Sequence, residues 1–423
     1  MDKPVTVAVL GAGNRGRDAY GQFIKEHPGE IKAVAVAEPD ESRRELFAGE
    51  HDIPGEYRFS SWEELLSEER LADGIIIATL DNMHVEPAIM AMERGYKILL
   101  EKPIAPNWKD TVRIARKAKE TGSKILVAHV LRYTNFYREL KRLLEERVIG
   151  EIRFVDHIEN IGFFHFAHSY VRGNWRNTDI AAPIILAKSC HDLDLIYWLL
   201  GKKCLELSSR ASLEFFTPEN QPAGAGDRCL NCPVEQDCPY SACKIYLSEN
   251  TGWPVSVITT DLSYEGRYRA LEEGPYGRCV FKCDNNIPEV QSVCMSFEGN
   301  IEVNFALTAF SYEINRTSKF FGTRGEIRAD FEEGLIEVYR FGQSGEKRKV
   351  TAAAGGHGGG DSGLMEQFIE LLRGETRSES DGAGPGRFTT IENSLESHLM
   401  AFAAEKARRE GKISRLEDWR KVI

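Results

Sequence analysis

The sequence predicts a two-part α/β protein: a doubly wound parallel sheet first, then an α+β region with a large, mostly antiparallel open sheet. Three observations carry this. Strand-like and helix-like stretches alternate over roughly the first 125 residues. A glycine-rich turn follows the first strand, and beyond about residue 150 the strands lengthen and lose their intervening helices.

In the first region the apolar, β-branched runs Val5–Leu10, Ile31–Ala37, Gly74–Ala78, Lys97–Leu100 and Lys124–His129 read as strands. Arg17–Glu26, Ser42–Gly49, Trp62–Glu68, Glu86–Glu93 and Trp108–Glu120 read as the helices between them, and Gly95 and Gly122 stand where two helices should stop. After a helix at Leu140–Glu146, strands are expected at Ile152–Ile161, Val255–Thr260, Gln291–Phe297, Asn300–Leu307, Phe320–Phe321, Gly325–Phe331 and Gly334–Arg340. Asp192–Leu200, Leu364–Leu372 and Ile391–Arg409 read as helices, the last two following the glycine run 355–360. The organisation expected is a domain over 1–128, a second over 129–385 with a cysteine- and proline-rich insertion at about 215–246, and a helical segment over 386–423.

Composition narrows the function classes. A net charge of −11 gives a nucleic-acid partner no electrostatic support. No apolar run reaches the roughly 18 residues of a spanning helix, so no membrane partner is expected. The first strand begins almost at Met1 with no signal-like segment ahead of it, which gives a cytoplasmic expectation with reduced cysteines.

Gly11-Ala12-Gly13-Asn14-Arg15-Gly16 follows a strand and opens a helix, and the acidic Glu38 ends the next strand about 20 residues on. This is the dinucleotide fingerprint in its proper context. Gly11 and Gly13 permit the tight turn and a close backbone approach to a pyrophosphate, and Gly16 permits close helix packing. Asn14 and Arg15 join them as cofactor contacts. Glu38 suits a ribose diol and repels a 2′-phosphate, favouring NAD over NADP, a preference that nearby Arg43 and Arg44 weaken.

Further motifs make the reading specific: Ala78-Thr79-Leu80-Asp81-Asn82-Met83-His84, Glu101-Lys102-Pro103, His191-Asp192-Leu193-Asp194, Phe321-Gly322-Thr323-Arg324-Gly325, and the late helix from Ser394 to Ala407. With the glycine turn, these resemble the Gfo/Idh/MocA family of oxidoreductases over nearly the whole chain, the cysteine-rich insertion excepted. The resemblance implies a Rossmann domain followed by an open-sheet domain, with a sugar or polyol lying against the nicotinamide between them. It also implies a homodimer or homotetramer formed through the sheet. Lys102 and His191 then match the catalytic lysine and histidine, Thr79, Asn82 and His84 a cofactor-lining loop, and Glu101 a neighbour of the nicotinamide. The chemistry is coherent: oxidising a secondary alcohol needs a base for the hydroxyl proton as hydride leaves, and a lysine in a partly desolvated cleft beside a histidine can supply one.

One position departs from the family. An aspartate commonly stands four residues before the histidine, and here it is Ala187, followed by Lys188, whose cation would suit an acidic substrate. Arg132 and Tyr133, after the fifth strand, and His165, His168 and Trp175, in a stretch dense in rings and donors, complete the expected substrate contacts with Lys188 and His191.

Cys229-Leu230-Asn231-Cys232 precedes Cys238 and Cys243, a spacing that suits a structural zinc, with Cys279 or Cys283 as alternative ligands and an iron–sulfur cluster or free thiols as competing readings. The leading function is an NAD-dependent dehydrogenase of a sugar or polyol. The alternatives are redox-neutral glycoside cleavage by oxidation and elimination, and a non-catalytic sensor of NAD and sugar.

Overall fold

The computed structural model describes residues 3–375 and 388–422. Six parallel strands form the first sheet: β1 (Val5–Leu10), β2 (Ile31–Ala37), β3 (Arg58–Phe59), β4 (Gly74–Ile77), β5 (Lys97–Leu100) and β6 (Ile125–Val127). Their spatial order is β3-β2-β1-β4-β5-β6, so strand order reverses between β1 and β4. In such sheets the crevice at this switch point, beyond the strands' carboxyl ends, is where ligands bind. β4 is buried along its whole length, as expected of strands covered on both faces. Helix α1 (Trp108–Thr121) covers part of one face; Asn107 caps its start by accepting from the Asp110 amide at 3.0 Å, and left-handed Gly122 ends it.

Nine strands form the second sheet, in the order β14-β13-β12-β11-β7-β10-β9-β8-β15. They are β7 (Ile152–Asn160), β8 (Cys204–Ser212), β9 (Val290–Phe297), β10 (Ile301–Thr308), β11 (Asn315–Gly322), β12 (Gly325–Asp330), β13 (Leu335–Arg340), β14 (Glu346–Lys349) and β15 (Ser414–Arg415). Every pairing is antiparallel except β7 with β10. On β10, Ile301, Val303, Phe305 and Leu307 are buried while Glu302 and Asn304 are exposed, so one face packs and the other stays open. Helices α2 (Cys190–Leu200) and α4 (Ile391–Glu410) pack between the sheets, and α3 (Gly360–Arg373) follows the glycine run.

One apolar core runs from Val9, Ile76 and Leu99 on the first sheet to Phe305 and Ile336 on the second. The late chain also completes the first sheet. Thr389 accepts the Val127 amide at 2.7 Å, Thr390 bridges Leu126, and His398 Nε2 accepts the Ile104 amide at 2.9 Å. The expected boundary at residue 385 lies outside the described residues.

Three expectations are corrected. Val255–Thr260 is no strand: Val255–Val257 is a single tight turn whose Val255 is buried in a small satellite core with Tyr246, Leu271 and Tyr276, with no strand beside it. The stretch after Gly13 is a π-helical segment (Asn14–Gly21) that becomes α-helical at Gln22–Glu26. Phe320–Phe321 is the middle of the longer β11, and β8 went unread because its polar Ser208, Ser209 and Arg210 mask the alternation.

Candidate active site

The glycine turn sits at the carboxyl end of β1, beside β4, at the switch point. Gly11 has φ +90°, and a Cβ there would stand 2.6 Å from the Ala78 carbonyl; a Cβ on Gly16 would stand 1.8 Å from the Gly11 carbonyl. Both positions therefore require glycine. Gly13 differs: its nearest neighbour is an Arg43 nitrogen at 4.0 Å, so its backbone faces open space. Glu38 is buried at the tip of β2, accepting from the Ala12 amide at 2.7 Å and the Asp40 amide at 3.1 Å. The bare backbone at Gly13 and the fixed Glu38 carboxylate together fit a dinucleotide's pyrophosphate and ribose.

Arg15 does not face that cradle. Its Nε donates to Glu101 at 2.6 Å and its Nη2 to Asp361 at 2.7 Å, while Tyr20 donates to the same Glu101 oxygen. Burial alone would raise Glu101, yet Arg15 and Tyr20 hold it below the usual carboxylate range. Asp361 also meets His357 Nδ1 at 3.0 Å, and the His357 ring lies 6.2 Å from that of His191. A chain of polar contacts therefore runs from the cofactor turn to His357, whose ring stands near that of the candidate histidine. Asp361 and His357, which sequence reasoning missed, lie in and just after the glycine run that was noticed but given no role.

Asn14 bonds Asp18 at 3.1 Å beside the turn, and Asn82 is exposed on the loop after β4. Thr79 donates to the Met83 carbonyl at 3.3 Å. His84 is buried and joins the Pro103 carbonyl at 2.8 Å to that of Thr79 at 3.2 Å, so it ties this loop to the Lys102 segment.

Lys102 follows β5, and its Nζ donates to the Ala187 carbonyl at 2.6 Å. Ala187 thus contributes its backbone where the family carries a carboxylate. Four residues on, His191 is buried in the first turn of α2 with Nδ1 unpartnered. Burial, then the positive charge of Lys102, pushes it well below the usual imidazole range, so it is neutral. Lys102 and His191 therefore share a locality without bonding each other.

Lys188 turns to the second sheet and pairs with Glu159 of β7 at 3.2 Å. Arg316 of β11 pairs with Glu159 and with Asp192, each at 2.8 Å, and His157 reaches Asp192 at 2.9 Å. Burial raises Glu159 against the pull of Arg316 and Lys188, and burial lowers Lys188 against the pull of Glu159. The buried carboxylate that Lys188 meets is thus supplied by β7. Lys188, its charge met by Glu159, is no free cation for an acidic substrate. No local signal pointed to Glu159 or Arg316, since both occupy strand positions that read as ordinary alternation.

The remaining substrate candidates divide. Arg132 is fully buried and forks onto Asp194, Nε to Oδ2 at 2.6 Å and Nη2 to Oδ1 at 2.5 Å. Tyr133 is buried against Thr389 at 2.9 Å, and His168 is buried against the Tyr246 hydroxyl at 2.8 Å while stacking on Tyr276. These three brace the scaffold; strand-end position and ring content had signalled them without revealing their partners. His165 retains an unpartnered Nδ1, and Trp175 donates to Asp81 at 3.0 Å on the loop after β4. Among the described residues no group of three or more His, Cys, Asp or Glu is placed to hold a metal ion, so the tetrahedral zinc set Cys229, Cys232, Cys238 and Cys243 is not assembled.

Residues 5–129 match the model of an oxidoreductase family's NAD-binding Rossmann fold, and residues 141–227 match the same family's C-terminal α/β domain. The oxidoreductase YteT of Bacillus subtilis is 25% identical over 74% of this chain and 76% of its own length. A 2,7-anhydro-N-acetylneuraminate hydratase of Mediterraneibacter gnavus (28%) and an inositol 2-dehydrogenase of Corynebacterium glutamicum (27%) are matched over 50% and 57% of their lengths. An Agrobacterium radiobacter oxidoreductase solved with NAD+, L-tartaric acid and magnesium shares the fold at TM-score 0.69 and 15% identity, covering 98% of this chain and 99% of that one. The WlbA dehydrogenase of Bordetella pertussis, solved with NADH and UDP-GlcNAcA, does so at TM-score 0.68 and 15% identity, with 98% and 99% covered.

Proposed function

The chain belongs to the Gfo/Idh/MocA oxidoreductase family and is an NAD-dependent oxidoreductase, and from that premise we propose that it oxidises a secondary alcohol of a sugar, polyol or sugar derivative, with Lys102 and His191 as its acid–base pair. The observation that carries this is the meeting of the two halves at one point: Lys102 from β5 is held by the carbonyl that leads into His191. Bound NAD would accept the hydride. Gly11, Gly13 and Gly16 would leave room for its pyrophosphate, and Glu38 would hold a ribose and disfavour a 2′-phosphate.

Lys102 takes the hydroxyl proton, and the Ala187 carbonyl fixes where its Nζ stands. His191, neutral in its buried setting, orients the hydroxyl or relays the proton outward. His165 and Trp175 fit the ring-and-donor chemistry of a carbohydrate site. The open polar face of the second sheet suits pairing with a second copy, which light scattering on the purified protein measures.

A second reading is favoured by one observation, the buried Lys188–Glu159 pair beside Lys102. It supplies a second acid–base couple, as redox-neutral oxidation and elimination would need. A panel of sugars, glycosides and polyols, followed by NADH absorbance and product analysis together, tests both. NADH accumulating with an oxidised product supports the dehydrogenase; cleaved product without NADH supports the second reading; neither with any compound defeats both.

A further inference from the structure

His129 stands just past β6, at the edge of the first sheet that also carries Lys102. It is buried, and among the described residues it is the only histidine whose two ring nitrogens are both shut off from solvent without a hydrogen-bond partner. Unpaired polar atoms in the interior are costly, so two on one ring call for a cause.

Its neighbours supply one. On one side the His398 ring lies 5.5 Å away, and both of its nitrogens are spent: Nε2 accepts the Ile104 amide at 2.9 Å and Nδ1 donates to the Ser394 carbonyl at 2.8 Å. His398 is therefore only a wall. On the other side stand His191 and Asp194, one turn apart on the same face of α2. The His191 ring meets His129 edge-on, with 5.8 Å between centroids and 80° between planes, and its Nδ1 is also buried and unpartnered. Asp194 Oδ1 lies 3.9 Å from His129 Nε2, and the Arg132 fork holds that carboxylate in place. Burial, and then the charges of Arg132 and Lys102, keep His129 neutral, so it carries one proton on one nitrogen.

A neutral imidazole facing a carboxylate keeps its proton on the nitrogen that faces it. His129 then turns Nε2–H toward Asp194 and leaves Nδ1 as a bare acceptor, and the unpartnered neighbour able to donate to it is His191 Nδ1–H. We propose that His129 is a positioning residue that fixes the tautomer of His191: Asp194 orients His129, His129 accepts from His191 Nδ1–H, and His191 Nε2 is left as a lone pair for the substrate hydroxyl. This rests on the reading above that His191 meets the hydroxyl. Such contacts are often long in an empty site and tighten when the ligands seat. No proton travels inward; the link decides which nitrogen is free, and Asp194 offsets positive charge gathering on His191.

Histidines labelled with 15N in the full chain with NAD bound report the tautomer directly, the His191 signal being the one that His191→Asn removes. His191 protonated on Nδ1 in the wild type, turning to the Nε2–H form in His129→Phe, is expected. The Nε2–H form in the wild type, or no change in the variant, overturns the proposal. Kinetics give a second readout, since Phe keeps the ring's volume while Gln keeps a donor and an acceptor. His129→Phe should lower kcat about thirtyfold with KM and NAD affinity little changed, and His129→Gln should recover most of the loss. Packing alone would reverse that order, so His129→Phe turning over faster than His129→Gln also overturns the proposal. If the wild type oxidises no sugar or polyol, the reading of the function fails instead, and the tautomer measurement still decides the role of His129.

Discussion

Two walls of the candidate active site are built by different rules. On the first sheet each residue facing the expected cofactor stands in the turn just after a strand: Gly11 and Gly13 after β1, Glu38 after β2, Thr79 and Asn82 after β4, Lys102 after β5. On the second sheet the side chains that shape the site sit within strands or at a helix start: Glu159 in β7, Arg316 in β11, Asp192 in α2. They are joined by ion pairs that span large sequence separations. A parallel sheet collects its strand ends at one edge, so chain order alone names the residues there. An antiparallel sheet points alternate side chains into the cleft, and which of them pair depends on register.

The sharpest way to break this comparison is Lys102→Ala. A turnover loss of about a thousandfold, roughly 4 kcal/mol, is expected with NAD affinity little changed, as read by single-turnover kinetics and calorimetry. Loss of NAD binding in the same proportion would make Lys102 a cofactor residue instead.

Glu159→Leu attacks the other wall. It leaves Arg316 sharing Asp192 alone and Lys188 unpaired in a buried place, and a stability loss of about 3 kcal/mol is expected in denaturant unfolding. An unchanged midpoint would show that the pair is dispensable to the fold.

Acid should weaken the second wall and its surroundings first. His129, His165, His168, His191 and His398 are buried with protonation disfavoured, His168 and His398 down to about 3. The unfolded chain binds protons at these sites below about pH 6.5 and the folded one does not, so their contribution to stability is present above that pH and is lost as pH falls. The loss is about 1.4 kcal/mol per pH unit for each. Thermal scans between pH 7 and 5 should show the midpoint dropping steeply; a flat profile would mean these rings are not neutral in the fold.

Glu38→Ser tests the first wall at lower cost. About a tenfold loss of NAD affinity is expected, together with a gain for NADP, measured by fluorescence titration. Trp175→Phe, which removes the indole donor to Asp81, should cost about 1 kcal/mol and shift KM for substrate more than kcat.

The same contrast explains what the sequence disclosed. Five of the six parallel strands, the glycine turn and the place of Lys102 after a strand follow from local patterns, and those were legible; the two-residue β3 and the order of the strands were not. Arg132, Tyr133 and His168 were read as substrate contacts because residue type and strand-end position suggested it. Their real partners, Asp194, Thr389 and Tyr246, lie 62, 256 and 78 residues away, beyond any local signal. Glu159 stayed hidden because an acidic residue in a nine-residue strand reads as a solvent-facing position until the sheet that covers it is known. Val255–Thr260 misled for the opposite reason: β-branched residues also serve a small satellite core that contains no sheet.

The clamp on Arg15 has a consequence for the order in which the protein matures. Its anchor Asp361 lies 346 residues downstream, and the Thr389 carbonyl that completes β6 is farther still. A nascent chain released from the ribosome after the sixth strand would already carry the glycine turn, yet Glu101 and Arg15 would lack the third member of their set. The set of Glu101, Arg15 and Asp361 is then closed only when the chain beyond the second sheet has docked against the first.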